Sequence, residues 1–368
     1  MTSFIFSPEK DCSTLTAFGL DSAIVPPSFS NSTRQAKDRA ASSMDNKKGP
    51  FEVLVTGAAG FLGSNLVDFL LGNGHTVIGL DNFQSGFSKN LCHLENHSQF
   101  QFLKHNIQDP LPELEGIDQI YNLACPASPV HYQKDPVSTL NTCFLGTRNL
   151  LELARSRNIR ILHTSTSEVY GDPSIHPQPK HYWGNVNLFG PRACYDEGKR
   201  VAEALFYAYR EQHGVDIRIA RIFNTYGPRM GASDGRVVSN FIASALSGDD
   251  LKITGDGKAT RSFQYVTDCM QGLYALMNSD YSKGPVNIGN DREFTIQQLA
   301  ELVIGLVSQM TGRCKASIAY LPPLVDDPTV RRPDITLARE VLCWGPVIRL
   351  EEGLRRTIEW HINERRSD

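Results

Sequence analysis

From Glu52 onward the chain alternates short apolar, β-rich runs with amphipathic stretches, and that rhythm predicts most of its elements. Glu52-Val53-Leu54-Val55-Thr56 reads as a strand buried on both faces, since its interior positions are all apolar and β-favouring. A helical pattern follows through Leu71 and is stopped by Gly72-Asn73-Gly74; the run from His75 to Leu80 then predicts a second strand that ends at Asp81. Further strands are expected over 100–104, 119–124, 160–164 and 216–222. Helical spacing covers 136–157 and 192–213, the second closed by Gly214. Strands alternating with helices imply an α/β fold of the Rossmann type, a doubly wound parallel sheet. Ligands of such sheets bind beyond the carboxyl ends of the strands.

Outside this core the pattern changes. Residues 1–49 are rich in Ser, Asn, Asp and Lys and lack periodicity, so a disordered leader is expected there. Past Thr225 the alternation breaks down into a helix near 237–246 and Arg-bearing loops around Arg236, Arg261 and 326–334. The expected division is a dinucleotide-binding domain over 50–225, with 263–289 returning to it. A smaller, partly interleaved substrate lobe would comprise 226–262 and 290–368. Arginines beside a dinucleotide fold suit a second anion, such as a nucleotide-sugar diphosphate.

Composition narrows the classes. With 368 residues, 40% hydrophobic and 21% charged, the chain fits a soluble globular protein with a sizeable core. A net charge of −3 argues against a nucleic-acid binder. The eight cysteines form no C-x-x-C pair, so reduced thiols are expected, with no metal site and no disulfide frame. No apolar run of about 18 residues indicates a membrane span, and no secretory signal is evident, which makes the cytosol the default.

The candidate chemistry sits at the predicted strand ends. Gly57-Ala58-Ala59-Gly60-Phe61-Leu62-Gly63 joins the first strand to the first helix. Gly57 allows the tight turn, Gly60 lets backbone N–H groups approach a pyrophosphate at the positive helix end, and Gly63 permits close packing. Asp81 lies 18 residues past Gly63 (81 − 63 = 18), where a carboxylate binds ribose hydroxyls and repels a 2′-phosphate. NAD is therefore expected rather than NADP. Tyr195 and Lys199 are four apart, so a helix stacks them on one face. An ammonium there would lower the phenol's pKa toward neutrality and make Tyr195 a base for a sugar hydroxyl. Such pairs also arise by chance on amphipathic helices, so the weight rests on the other strand-end groups: Leu123, Thr164 to Glu168, Asn224 and Thr225.

Beyond these local readings, the chain resembles the extended short-chain dehydrogenase/reductase family over about 51–360. The resemblance rests on the glycine motif, Asn122-Leu123-Ala124, Tyr195-x-x-x-Lys199 and Arg221-Ile222-Phe223-Asn224. Within that family it is most similar to the UDP-glucuronate decarboxylases, through Ser165-Thr166-Ser167-Glu168-Val169-Tyr170-Gly171-Asp172 and Cys194-Tyr195-Asp196-Glu197-Gly198-Lys199-Arg200. The resemblance implies oxidation at sugar carbon 4, loss of CO₂ and return of the hydride, giving UDP-xylose with NAD⁺ regenerated. Tyr195, Lys199 and Thr166 would handle the 4-hydroxyl, and Glu168 would manage protons or water near carbon 5. Ser167 replaces the acid of related dehydratases, which disfavours dehydration. Arg261 would contact the diphosphate or act at the acid end.

By the same resemblance, Asn82, Ser85, Gly86, Asn106, Ile107, Leu123, Thr142, Thr225 and Arg236 would bind NAD. Asn141, Tyr209, Gln212, Asn224 and Arg331 would bind the UDP-sugar. A homodimer is implied, paired through the 136–157 and 192–213 helices. Three positions depart from the family pattern: Asn141 stands where Lys is common, Asn106 where Asp is, and Cys125 where Ser is. A 4-epimerase or a non-catalytic NAD-binding protein would share much of this residue set. Product analysis separates the first, and the full set of Tyr195, Lys199, Thr166 and Glu168 argues against the second.

Overall fold

The structure, a computed structural model, describes residues 49–232, 234–322 and 330–367. Residues 1–48 of the expected leader and 326–329 of the charged segment lie outside the described residues.

Seven parallel strands form the central sheet: β1 (Glu52–Thr56), β2 (Thr76–Asp81), β3 (Phe100–Lys104), β4 (Gln119–Asn122), β5 (Arg160–Thr166), β6 (Ile217–Ile222) and β7 (Pro285–Ile288). Their spatial order is β7-β6-β5-β4-β1-β2-β3, which is the doubly wound arrangement. Both faces are buried. Val53 and Val55 of β1 join one apolar cluster while Leu54 joins the cluster on the other side, as successive strand residues must. That explains the unbroken apolar run read in the sequence. The first cluster is the larger and continues into the C-terminal part of the chain through Phe241, Leu273, Val303 and Leu354.

The helices follow the expected pattern with instructive differences. Helix α1 (Phe61–Gly72) joins β1 to β2. The expected 136–157 helix is α2 (Pro136–Asn141) and α3 (Thr147–Arg157), joined by a π-helical turn, Thr142–Gly146. A Cβ on Gly146 would lie 2.5 Å from Ile107 Cδ1, so the turn packs closely on the loop after β3. Helix α4 (Ala193–His213) ends at Gly214, whose φ of 71° is left-handed, as a C-terminal cap requires. Strand β4 stops two residues earlier than expected, whereas β5 runs two residues further because Ser165 and Thr166 pair with Arg221 and Ile222 of β6.

Residues 263–289 supply helix Val266–Met277 and edge strand β7, which pairs with β6. Beyond the sheet, strand Thr260–Ser262 lies between Glu293–Thr295 and Val330–Arg331. Its register sets Arg261 beside Arg331. Among the described residues, no helix is long and apolar enough to cross a membrane.

Candidate active site

The glycine turn is built by close approach. Gly57 has φ +71°, and a Cβ there would come within 2.8 Å of the Leu123 backbone. A Cβ on Gly63 would fall 1.9 Å from the Gly57 carbonyl oxygen, so only glycine lets α1 start this near β1. Gly60 caps α1 without a side-chain hydrogen bond, which leaves the first-turn N–H groups to an anion. At the end of β2, Asp81 accepts from the Ala59 N–H at 2.9 Å and the Phe83 N–H at 2.7 Å. Burial pushes its carboxyl above the ordinary value against those hydrogen bonds. Asp81, Asn82, Ser85, Asn106, Ile107, Leu123 and Thr142 share the wall of a small cavity with Gly57 and Gly60. A glycine turn opening onto the start of α1, with a carboxylate at the next strand end, fits an adenine dinucleotide. Gly86 lies behind it, where a Cβ would meet the Ala59 backbone at 2.8 Å.

The adjoining main cleft has a volume of about 490 Å³. It is lined by Gly57, Gly60, Phe61, Leu62 and Gly63 on the α1 side and by Thr164 to Glu168 with Tyr195 and Lys199 in the middle. Asn224, Thr225, Arg236, Arg261 and Arg331 line it as well. The Thr166 side chain hydrogen-bonds the Tyr195 phenol, and the Lys199 Nζ donates to the Thr164 carbonyl at 2.8 Å. The Tyr195 ring stacks on Tyr132 with centroids 5.0 Å apart and planes 5° apart.

The expected lowering of the Tyr195 pKa is not what this site does. Burial first, and the neighbouring Cys125, push the phenol well above its ordinary value; the Thr166 hydrogen bond and the Arg236 guanidinium only partly oppose them. In the chain by itself the phenol keeps its proton.

Glu168 is held from two sides. Arg331 grips it with two N–H groups, Nη1 to Oε1 at 2.6 Å and Nη2 to Oε2 at 3.0 Å, and Arg192 pairs with the same Oε2. Burial raises this carboxyl, but the guanidinium charges overturn it and the net direction is below the ordinary range. Glu168 is therefore a carboxylate at neutral pH. Arg192, Arg261 and Arg331 bring three guanidiniums to the cleft, groups suited to an anionic substrate.

Arg331, expected to bind the UDP-sugar, lines the main cleft with its guanidinium engaged by Glu168. Other expected residues lie elsewhere. Tyr209 and Gln212 are not brought to the site: they sit 14 and 17 residues beyond Tyr195 on α4, roughly 20–25 Å along the helix at about 1.5 Å per residue. There the Tyr209 hydroxyl donates to Glu152 on α3, and Gln212 is exposed. Asn141 ends α2 and lies in neither cavity wall.

Four groups escaped the sequence reading. Arg192 precedes Tyr195 by three residues and Asp196 by four, so helical spacing already put it on their face. Its Nε lies 3.6 Å from the Asp196 Oδ2. Burial and the nearby Glu168 push the Asp196 carboxyl up to about 7, against Arg192 and Arg331. Tyr132 and Ser128 line the cleft with buried hydroxyls that have no hydrogen-bond partner among the described residues, as does the Asp196 Oδ1. No sequence pattern marks those two hydroxyls.

Comparison with known proteins agrees with this geometry. A family model described as GDP-mannose 4,6 dehydratase matches residues 54–357. The chain is 51% identical over 312 residues to UDP-glucuronic acid decarboxylase 1 of Danio rerio, covering 85% of this chain and 73% of that one. It is 54% identical over 303 residues to UDP-glucuronic acid decarboxylase 5 of Arabidopsis thaliana, covering 82% and 86%. Among solved structures, a UDP-glucose 4-epimerase of Thermotoga maritima with UDP-glucose superposes with TM-score 0.76 at 30% identity, covering 85% of this chain and 99% of that one. A UDP-glucuronic acid 4-epimerase of Bacillus cereus, in complex with UDP-glucuronic acid and NAD, gives TM-score 0.72 at 29% identity and the same coverage. With the glycine turn, the Tyr195–Lys199 pair and the Glu168 stretch all at one sheet edge, the chain belongs to the UDP-glucuronate decarboxylases of the extended short-chain dehydrogenase/reductase family.

Proposed function

We propose that the chain converts UDP-glucuronate to UDP-xylose and CO₂ through a 4-keto sugar, with NAD as a retained cofactor. The observation that carries this reading is the junction of Tyr195 and Thr166 with the Glu168 carboxylate in one cleft beside the dinucleotide turn.

Bound NAD supplies the oxidising and reducing equivalents at carbon 4. Once the positive charge of the bound cofactor offsets the phenol's burial and frees the phenolate, Tyr195 takes the 4-hydroxyl proton at its phenol oxygen, while Thr166 orients that oxygen and Lys199 fixes the β5 end through the Thr164 carbonyl. The 4-keto sugar is then a β-keto acid, so loss of CO₂ leaves an enolate whose oxygen the Tyr195 O–H stabilises. Glu168, held ionised by Arg192 and Arg331, positions water for proton return to carbon 5. The guanidiniums that line the cleft receive the substrate's carboxylate and diphosphate. Ser167 offers no acid for dehydration. In this reading, 50–225 with 263–289 holds the dinucleotide, and 226–262 with 290–368 holds the nucleotide sugar.

Incubation with UDP-glucuronate labelled at carbon 6 and NAD⁺ tests the proposal: labelled CO₂ and a UDP-pentose are expected. A UDP-hexuronate product that keeps the label would support the 4-epimerase reading, which the solved neighbours at 28–30% identity favour. Neither product would refute both.

A homodimer accords with Val137, Leu140, Phe144 and Tyr207, which are exposed on α2, the π turn and α4. Light scattering that gives a monomer at micromolar concentration would contradict it. A cytosolic setting fits the seven free cysteines among the described residues.

A further inference from the structure

Two thiols meet where the cofactor loop touches the catalytic helix. Cys125 lies just beyond β4, is half-buried, and lines both the main cleft and the small cavity. Cys143 sits in the π-helical turn, fully buried, with its Sγ 3.5 Å from the Cys125 Sγ. It also presses on α4: a Cβ on Gly198 would lie 3.0 Å from the Cys143 Sγ. Gly198 immediately precedes Lys199. The pair thus bridges the Leu123–Cys125 loop, the turn bearing Thr142, and the helix bearing Tyr195 and Lys199. The proposed reaction uses neither thiol.

Their surroundings make the two sulfurs unequal. The hydrogen bond with Cys143 holds the Cys125 thiol below its ordinary value; burial opposes this and the Lys199 ammonium assists it. The same hydrogen bond, then burial, push Cys143 well up. Cys125 is the cleft-lining and more readily ionised member of the pair, and Cys143 is the enclosed one.

We propose that Cys125 and Cys143 are an oxidisable pair in which a peroxide entering the cleft closes a disulfide and reversibly weakens cofactor binding. The Cys125 thiolate attacks the peroxide O–O bond, giving a sulfenic acid and hydroxide, which takes up a proton as water. The Cys143 sulfur then attacks the Cys125 sulfur, the S–O bond breaks, and the thiol proton leaves with the oxygen as a second water. Two thiols and one hydrogen peroxide become one disulfide and two waters: sulfur is oxidised and peroxide oxygen reduced. Bonding draws the sulfurs from 3.5 Å to about 2.05 Å. That contraction displaces the π turn and the loop relative to each other, and both Thr142 and Leu123 line the small cavity.

The test treats the full chain with hydrogen peroxide, digests it without reductant and maps thiols by mass spectrometry. NAD affinity is measured in parallel by calorimetry. A peptide pair joined through Cys125 and Cys143 is expected, lighter by two hydrogens, with NAD affinity reduced about tenfold or more and restored by dithiothreitol. In Cys125→Ser no such link forms, and peroxide leaves that variant's NAD affinity unchanged. Free thiols at both positions after treatment would overturn the proposal, as would a formed link with affinity within about twofold of the reduced chain. Neither readout involves the sugar, so failure here is distinct from failure of the decarboxylase reading.

Discussion

Replacing Asp196 with Asn tests the electrostatics of the site through stability. Asp196 is 6% exposed, and its Oδ1 has no hydrogen-bond partner among the described residues. Burial and Glu168 raise its carboxyl from the ordinary 3.8 to about 7. A raised acid holds its proton in the native state after the unfolded chain has released it. Between about pH 4 and pH 7 the unfolded chain therefore binds fewer protons, and stability falls as pH rises through that window. Below and above it this contribution is flat. The full span is a ceiling of about 4 kcal/mol, the shift from 3.8 to about 7 at about 1.4 kcal/mol per unit. About two-thirds of that, 2 to 3 kcal/mol, should develop between pH 5 and pH 8. Asn cannot ionise, so the variant gains on the parent by that amount as pH rises, while contributions from Glu168 and other groups common to both chains largely cancel. Urea unfolding of both chains at the two pH values, with equal NAD, measures it. A difference between parent and variant that stays constant within about 0.5 kcal/mol would show that Asp196 is already ionised at low pH and refute the reasoning.

Tyr195→Phe should lower turnover by at least about a hundredfold while NAD affinity by calorimetry stays unchanged; a variant with full turnover would remove Tyr195 from the proton step. Glu168→Ala leaves Arg192 and Arg331 without their carboxylate, so urea unfolding should show a loss of about 3 kcal/mol, together with slower CO₂ release. Stability equal to the parent would mean that the pair is solvated. Gly63→Ala forces a Cβ to within 1.9 Å of the Gly57 oxygen. It should destabilise the chain by about 1–3 kcal/mol and weaken NAD binding, and parental behaviour in both assays would contradict the packing described.

What the sequence determined by itself was what neighbours along the chain decide. Alternating apolar runs, Gly57 to Gly63, Asp81 and the Tyr195–Lys199 spacing depend on backbone geometry within a few tens of residues, and the structure keeps all of them together. Parallel strands buried on both faces leave one arrangement of edges, so the ligand edge followed from the pattern. Tertiary structure decided what distant partners and desolvation control. Glu168 and Arg331 are 163 residues apart, and no local pattern couples them. The Tyr195 phenol is raised because packing by Tyr132 and Cys125 removes water, which outweighs the charged neighbours. Tyr209 and Gln212 share a helix with Tyr195, but the length of that helix carries them away from the cleft. The meeting of Cys125 and Cys143 depends on a π-helical turn that a helical period alone cannot reveal.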